Sequence, residues 1–497
     1  MGRKTIDIRI GRQLFFDDEL IAETNLIRRF YYPKVLQKPV LKPETKLELD
    51  EGFCPCAAPF PGGVYYNDIE KQYQMWYQAG WMRGSGYAVS DDGYNWTRVK
   101  DAVIPFDNYQ FRDSEKICID YNAPESERYK MFHFMRVYNE PYLDHTYTIP
   151  DNSEVKQRPE LYSSSDGVNW TYRCMSGECG DYTSFFFDPF RKKWIWSIRH
   201  VLRENGNVTR MRKYYESKDF FANSNWSEND LEYWYTADNK DLIDEEIGDI
   251  PQLYGLDAIA YESIMLGAFG IFYGPSNQVC KELGRPKKTD IQIGYSRDGF
   301  NWIRPDRNAF ISGTYVEGDW NYGYLHSDGG ICTVVDDELH FYFSVFSGES
   351  PRYGRHMYAG GSTGMAILRR DGFVSMGNVE EECVGVLVTN NLQFEGEYLF
   401  VNFIGKELGV EILDEKGKTI SGYEIEQCNL VSGDSTKCRI TWSEKSKVPT
   451  PKQIIKLKFV LKNAELYSFW ISKYESGESE GYLAAGGPNA KNGRDTK

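Results

Sequence analysis

The sequence predicts an all-β protein, a five-bladed β-propeller followed by a C-terminal β-sandwich. First, the turn Ser-x-Asp-Gly-x-Asn-Trp recurs around Asp92, Asp166 and Asp298, with weaker copies at Asp219 and Asp371. Recurrence of one motif along a chain is typical of arrays of similar supersecondary units. Second, short apolar strands bounded by Gly, Pro, Asn and Asp surround each copy. Third, aromatic residues make up 15% of the chain and favour strands. Five units of four antiparallel strands predict a five-bladed propeller.

The recurring turn has a structural meaning of its own. Its glycine adopts positive φ without steric cost, and its aspartate can accept hydrogen bonds from the backbone of the turn. Its tryptophan opens the next strand and offers a large apolar surface to a neighbouring unit. The motif therefore predicts a fold and assigns no chemistry.

Each unit can be divided into strands in chain order. In the first unit the inner strand is expected at 62–66, the second at 73–77, the third at 86–90 and the outermost at 96–99. The second strands of the later units are expected at 129–134, 193–197, 265–270 and 339–343. Alternating apolar positions within these segments are typical of half-buried strands.

The sequence changes character after Met376. Strands of a separate sandwich are expected at 386–388, 398–403, 409–413, 438–442, 454–461 and 464–470. We therefore predict a propeller over 1–380, a sandwich over 381–475 and a disordered tail over 476–497. The sandwich is expected to support the propeller and is a candidate interface for a homo-oligomer.

The bulk properties exclude several classes of function. A net charge of −15 argues against nucleic acid or an anionic membrane as the main partner. No apolar stretch is long enough to span a bilayer, and the first residues lack the apolar core of a secretory signal. We therefore expect a cytoplasmic protein. Of the ten cysteines only Cys54 and Cys56 are closely spaced, so free thiols are expected rather than disulfides.

No cofactor is expected from the motifs present. The chain has no phosphate-binding glycine fingerprint after a strand. Its six histidines show no metal-ligand spacing. A structural calcium ion held by carboxylates and carbonyls would leave no sequence pattern, so that alternative stays open.

Short motifs give the chain a resemblance to a known family. Glu178-Cys179 is similar to the Glu-Cys of blade three in the glycoside hydrolase clan that includes families 32 and 43. Arg112-Asp113-Ser114 is similar to the first two residues of their Arg-Asp-Pro in blade two. The opening segment 14–21 resembles that of an uncharacterised bacterial group of family-32-like proteins. The likeness covers about 14–473, but the blade-one motif Trp-Met-Asn-Asp-Pro-Asn-Gly is absent.

The resemblance implies a glycosidase of small oligosaccharides or glycosides, with furanosides as the usual substrates of the clan. In such propellers, residues just before the inner strands and at the ends of the second strands line a central funnel. This places a set of substrate-binding candidates in the funnel: Trp81, Arg112, Arg136, Arg199, His200, Asp257, His326 and Asp328.

Glycoside hydrolysis needs two carboxyl groups, one protonated and one ionised. Asp113 and Asp181 are our leading candidates for the catalytic pair, or for one catalytic group and a partner that adjusts its pKa. Glu178 is the alternative acid, and Glu51 is the candidate for the missing blade-one carboxylate.

Two other functions remain open from the sequence. Arginines at the funnel rim could bind inorganic phosphate as the nucleophile, which would make the protein a glycoside phosphorylase. The missing blade-one aspartate is also compatible with a carbohydrate-binding propeller that has no catalytic activity.

Overall fold

The structure, a computed structural model, describes residues 5–105, 107, 109–139, 155–204, 207–380, 383–450 and 453–497. The prediction of a mostly β chain is confirmed. Within these ranges the only α-helix is α1 (Asn277–Leu283), and no helix is long and apolar enough to cross a membrane. Short 3-10 turns occur at Asp50–Gly52, Glu125–Glu127, Glu228–Asp230 and Ile425–Gln427.

The first strands of the chain are short and belong to two different sheets. They are β1 (Thr5–Asp7), β2 (Gln13–Leu14), β3 (Ile21–Thr24), β4 (Ile27–Phe30) and β5 (Lys34–Val35). Two four-stranded antiparallel units follow. The first contains β6 (Ala57–Asn67), β7 (Gln72–Ala79), β8 (Gly84–Ser90) and β9 (Thr97–Lys100). The second contains β10 (Gln110–Ile119), β11 (Tyr129–Val137), β12 (Lys156–Ser164) and β13 (Thr171–Met175). A short parallel pairing of β6 with β10 joins these units into one sheet.

Three further antiparallel units follow in the chain. The third contains β14 (Ser184–Asp188), β15 (Lys193–Glu204), β16 (Asn207–Ser217) and β17 (Glu232–Thr236). The fourth contains β18 (Gln252–Glu262), β19 (Ile264–Gly274) and β20 (Lys288–Ser296), with α1 between the last two. The fifth contains β21 (Gly323–Ser327), β22 (Thr333–Val335), β23 (Glu338–Phe346) and β26 (Gly361–Arg369), with the hairpin β24 (Glu349–Ser350) and β25 (Gly354–Arg355) inserted before β26. Strand β5 pairs with β26 and completes this unit.

The first strands of the five units meet at a common axis. Lys116 on β10 donates from Nζ to Asp257 Oδ1 on β18 at 3.1 Å, and to Ser184 Oγ on β14 at 3.4 Å. Ser327 on β21 donates from Oγ to the other oxygen of Asp257 at 2.9 Å. The backbone N of Gly329 donates to a carbonyl of β6 at 3.0 Å. These contacts hold polar side chains in a buried belt around the axis.

The recurring turn is held by its aspartate in the same way at three positions. Asp92 Oδ1 accepts the hydroxyl of Ser90 at 3.0 Å and the backbone N of Asn95 at 2.8 Å. The side-chain amide of Asn95 donates to Asp92 Oδ2 at 2.8 Å. The backbone hydrogen bond from Asn95 leads the interactions that lower the pKa of Asp92 to about 2. Asp166 and Asp298 make the same contacts.

These turns also join neighbouring units. The carbonyl of Gly93 in the first unit accepts the hydroxyl of Tyr342 on β23 at 2.9 Å. The carbonyl of Gly167 in the second unit accepts the indole N–H of Trp76 on β7 at 2.7 Å. In these two units the recurring turn is docked on the second strand of another unit.

The remaining strands form a ten-stranded sheet that includes the start of the chain. Its strands from the second half are β27 (Val374–Gly377), β28 (Val384–Thr389), β29 (Asn391–Gln393), β30 (Tyr398–Asp414), β31 (Val431–Arg439) and β32 (Ile455–Ser472). Strand β1 pairs in parallel with β29. The other three pairings are antiparallel and join β2 to β32, β3 to β28 and β4 to β27. Ile6, Phe15 and Leu20 are buried in the same apolar core as Leu457 and Phe469. Residues 5–30 therefore belong with this sheet, which differs from the predicted division of the chain near 380; residues 381–382 lie outside the described ranges.

Two pairs of predicted strands are continuous in the structure. Segments 398–403 and 409–413 form the single strand β30, and 454–461 and 464–470 form β32. Gly405 has φ +152°, and the pairing of β30 with β31 shifts register between Gly405 and Leu408. Asn463 has φ +45°. Such irregularities bend a strand without ending its pairing.

Residues 477–497 are ordered, which differs from the disordered tail that the sequence predicts. Strand β33 (Tyr482–Leu483) pairs with the end of β18. The hydroxyl of Ser479 donates to Glu262 at 2.7 Å, and Asp495 forms an ion pair with Arg370 at 3.2 Å. The polar composition of this segment reflects buried ionic partners rather than solvation.

Candidate active site

Two carboxylates and two arginines come together where the first strands of units two and three begin. Asp113 lies on β10 at a β-bulge, since the pairing of β10 with β11 shifts between Arg112 and Ser114. A bulge turns a side chain out of the regular alternation. Asp181 lies just before β14, Arg136 is near the end of β11, and Arg199 lies within β15. The sequence analysis expected these residues near one another because they lie at the starts of inner strands or near the ends of second strands.

Arg136 lies between the two carboxylates. Its Nε donates to Asp113 Oδ2 at 2.5 Å, and its terminal nitrogen NH2 donates to Asp181 Oδ2 at 3.0 Å. Arg199 NH1 approaches the other oxygen of Asp181 at 2.8 Å. The side chain of Asp113 is 10% exposed, whereas those of Asp181 and Arg199 are 24% and 27% exposed. The cluster is therefore buried on the Asp113 side and open on the Asp181 side.

The environment separates the pKa values of the two carboxyl groups. Burial raises the pKa of Asp113 to about 6 against the opposing positive charge of Arg136, and the negative charge of Asp181 adds to the rise. Burial also opposes ionisation of Asp181, but Arg199, Arg136 and Lys287 hold its pKa below the ordinary value. Both carboxyls contact the guanidinium of Arg136. A proton shared by the pair therefore resides on Asp113, as expected when like charges adjoin.

A group of two tyrosines and a lysine adjoins the acidic pair. Lys287 Nζ donates to the hydroxyl of Tyr254 at 3.3 Å, and the hydroxyls of Tyr254 and Tyr324 are 3.0 Å apart. Burial opposes ionisation of Tyr254, but Lys287 and Arg210 bring its net pKa below the ordinary value for tyrosine. The site thus contains a phenol that ionises more readily than usual, beside a carboxyl that ionises less readily.

Aromatic rings surround the predicted substrate-binding residue His326. Its ring centroid lies 4.6 Å from that of Phe60, 4.9 Å from Tyr182, 5.2 Å from Tyr254 and 4.6 Å from Tyr324. Burial, together with the nearby positive charges, lowers the pKa of His326 well below its ordinary value. His326 is therefore a neutral packing residue, and this aromatic layer lies between the acidic pair and the polar belt on the axis.

Other predicted binding residues are buried in the scaffold. Arg112 is 2% exposed and donates to Ser85 Oγ and to a carbonyl of β6, both at 3.1 Å. Trp81 is 3% exposed and stacks on Tyr358 with ring centroids 4.5 Å apart. These residues support the walls of the site and have little surface to offer a substrate.

Two predicted aspartates belong to the belt on the axis. Asp257 accepts hydrogen bonds from Lys116 and from serines of two other units. Asp328 accepts the backbone N of Gly330 at 2.6 Å, and burial raises the pKa of this carboxyl well above its ordinary value. Their positions are central, as expected, but they lie beneath the aromatic layer.

Glu178, Glu51 and His200 lie apart from the acidic pair. Glu178 is exposed, and its backbone carbonyl accepts the indole N–H of Trp226 at 3.0 Å. Glu51 is exposed with φ +50°, whereas its neighbour Asp50 is buried. His200 is half-buried, and burial lowers its pKa. No contact within the described ranges links these three side chains to Asp113 or Asp181.

The side of the site formed by the first unit is apolar. Cys56, Ala58 and Phe60 are all at most 4% exposed and pack in one cluster with Trp81 and Tyr182. In the described part of the chain no group of three or more His, Cys, Asp or Glu side chains could hold a metal ion.

The sequence reasoning missed Tyr254, Tyr324 and Lys287. Both tyrosines lie near the starts of inner strands, β18 and β21, at the level of Asp113 in β10. The rule that residues near the starts of inner strands line the funnel had already selected Asp113 and Asp181. Applied to every inner strand, the same rule would also have selected the two tyrosines. Lys287 precedes β20 and belongs to no motif, so the sequence carried no signal for it.

Comparison with known proteins adds structural relatives only. The chain matches no protein-family model, and no curated protein sequence matches it. It is similar in structure to an N-acetylgalactosamine deacetylase from F. plautii, with a TM-score of 0.45 and 13% identity over 69% of this chain and 96% of that one. It is also similar to the Bombyx mori GH32 beta-fructofuranosidase, with a TM-score of 0.40 and 13% identity over 88% and 94% of the two chains. A thermostable family-43 glycoside hydrolase has a TM-score of 0.39 and 13% identity over 65% and 95%.

Proposed function

We propose that this protein is a glycoside hydrolase whose general acid is Asp113, held protonated by its partner Asp181. On this view the five sheet units are the blades of a propeller, and the ten-stranded sheet is a β-sandwich against it. The meeting of the inner strands at the polar belt around Lys116 supports the propeller arrangement.

One observation carries the proposal: Arg136 joins Asp113, whose pKa is raised to about 6, to Asp181 at a site open to solvent on one side. A carboxyl with a pKa near 6 can hold a proton close to neutral pH and still release it readily. Asp181 remains ionised under Arg136 and Arg199, and its negative charge favours the protonated form of Asp113. This division of roles is the one that acid catalysis of glycoside cleavage requires.

The reaction can be written with the groups present. Asp113 donates its proton to the glycosidic oxygen as the bond from that oxygen to the anomeric carbon breaks, and the alcohol leaves. Water adds to the anomeric carbon, and its proton passes to Tyr254 in its ionised form, the form that Lys287 and Arg210 favour. Transfer of a proton back to Asp113 through solvent completes the cycle. We assign the base to Tyr254 because Asp113 and Asp181 contact the same guanidinium and Asp181 is also paired with Arg199, whereas the two acids of a glycosidase stand on opposite sides of the scissile bond, roughly 5 Å or more apart.

Phosphorolysis is a second candidate for the same site. Arg136, Arg199 and Lys287 surround two carboxyls of which one is protonated, so the cluster carries an excess of positive charge. Arg199 has surface open to solvent. Such a site could hold phosphate, which would replace water as the nucleophile at the anomeric carbon.

The test is a turnover screen on aryl furanosides, aryl pyranosides and oligosaccharides, with and without phosphate. Asp113→Asn is expected to lower kcat by about 10²–10⁴-fold, the usual contribution of a general acid. Tyr254→Phe should also lower kcat, and Glu178→Gln is the matched control because that side chain lies outside the cluster. Turnover only with phosphate would replace hydrolysis by phosphorolysis. Sugar binding without turnover, unchanged in Asp113→Asn, would contradict both reactions and favour a binding propeller.

A further inference from the structure

A second cavity opens at the far end of the axis from the acidic pair. Its volume is about 760 Å³, within the range of small-molecule sites. The ends of β10, β14 and β18 form its walls, and Lys116 lies at its base. The ordered segments 482–485 and 492–494 close one side of it.

Aromatic rings line this cavity at several heights. Phe187, Phe221 and Tyr482 are partly exposed, although Arg173 and Lys130 lie over the ring of Phe221 and Arg494 lies over that of Tyr482. Trp194 lies deeper and is 4% exposed. Partly exposed aromatic rings beside polar groups suit a ligand with one apolar face and several hydroxyls, which describes a saccharide ring.

Two lysines at the rim have no ionic partner. Lys192 follows the turn between β14 and β15, and Lys218 follows β16. Because Trp194 pairs with Ser217, both lysines lie at the same end of the β15–β16 pair, where continuation of this register would put Asp219 opposite Lys192. Both are exposed and line the cavity, and no ion pair or side-chain hydrogen bond within the described ranges involves either ammonium group.

The other lysines of the cavity are neutralised by neighbours. Lys116 is paired with Asp257 at 3.1 Å, and Lys130 with Asp120 at 3.3 Å. Asp219 also lines the opening and offsets one of the two rim lysines, whereas Glu127 is paired with Arg173. The opening therefore keeps a small local positive charge on a chain whose net charge is −15. A local field of opposite sign to the whole molecule concentrates anions at that opening.

We propose that this cavity binds an anionic saccharide, with its ring against the aromatic side chains and its carboxylate or phosphate between Lys192 and Lys218. The site is separate from the acidic pair, and its occupancy does not depend on the proposed reaction. A sugar carboxylate and a sugar phosphate would be recognised in the same way, by the ammonium groups of the two lysines.

Binding can be measured by calorimetry on the full chain with four probes: trigalacturonate, glucose 6-phosphate, neutral maltotriose and inorganic phosphate. The test variant is Lys192→Gln/Lys218→Gln. The matched control is Lys38→Gln/Lys240→Gln, which removes the same charge from two exposed lysines outside the cavity.

We expect at least one anionic saccharide to bind at least tenfold more tightly than maltotriose and inorganic phosphate. Its affinity should fall at least tenfold in the test variant and stay within twofold in the control. The tighter of the two anionic saccharides identifies whether a carboxylate or a phosphate is preferred. Absence of binding, equal binding of maltotriose, or equal losses in the two double variants would each overturn the proposal. Unchanged binding in the test variant would place the ligand elsewhere and also overturn it.

Discussion

The raised pKa of Asp113 has a thermodynamic consequence that does not depend on any substrate. A carboxyl whose pKa rises from 3.8 when unfolded to about 6 when folded binds its proton more tightly in the native state. Its contribution to stability is fully present below pH 3.8 and is lost as the pH rises through 6. A shift of about two units corresponds to about 3 kcal/mol in total, of which about 1.4 kcal/mol is lost between pH 5 and pH 8.

Asp113→Asn removes this titration. Between pH 5 and pH 8 the free energy of unfolding of the wild type should therefore fall by about 1.4 kcal/mol more than that of the variant. The other titrating groups are present in both proteins, so their contributions to the pH dependence cancel in the difference. Urea unfolding followed by tryptophan fluorescence at both pH values measures the difference. Asp101→Asn, at an exposed position, is the control and should follow the wild type. A wild type and Asp113→Asn variant with parallel pH profiles, or a variant that loses more stability at high pH, would refute the assignment of the proton to Asp113.

Two further predictions concern the scaffold. A Cβ added at Gly62, where φ is +49°, would lie 2.1 Å from the carbonyl oxygen of Trp76. Gly62→Ala should therefore lower the free energy of unfolding several times more than Gly417→Ala does. Gly417→Ala should lose only the ~1 kcal/mol of left-handed backbone strain, because nothing lies within 4 Å of its added Cβ. Equal urea midpoints for the two variants would contradict this. Asp371 accepts from Arg12 NH1 at 3.0 Å, and both side chains are at most 1% exposed. Asp371→Asn should lower the free energy of unfolding by about 3 kcal/mol because it weakens a buried ion pair, and a loss below 1 kcal/mol in the same assay would show that the pair is not needed.

The recurring turn was readable from the sequence because its chemistry is local. Aspartate, glycine and asparagine within five residues define a hydrogen-bonded turn whatever surrounds it, as Asp92, Asp166 and Asp298 show. The fifth copy at Asp371 does something else, since its carboxylate pairs with Arg12 far away in the chain. Local pattern alone could not distinguish a turn aspartate from a buried ionic one.

The candidate site was partly readable for a related reason. A rule about where inner strands begin selected Asp113 and Asp181 correctly as neighbours, and second strands supplied Arg136 and Arg199. The same rule could not tell which central residues face solvent and which are covered. His326 satisfied it and lies under aromatic rings, because side-chain packing depends on residues from several units at once.

The pairing of β1 with β29 has a consequence for synthesis of the chain on the ribosome. Thr5 is opposite Asn391, so the first strand must wait for almost four hundred residues before its partner emerges. At about 5–20 residues per second this delay is roughly 20–80 s. During that time Ile6, Phe15 and Leu20 have no apolar core to enter. Nascent chains halted at residue 380 should therefore be cut by protease within 5–30 and bind a chaperone there, whereas resistance of that segment would show that it folds before its partners exist.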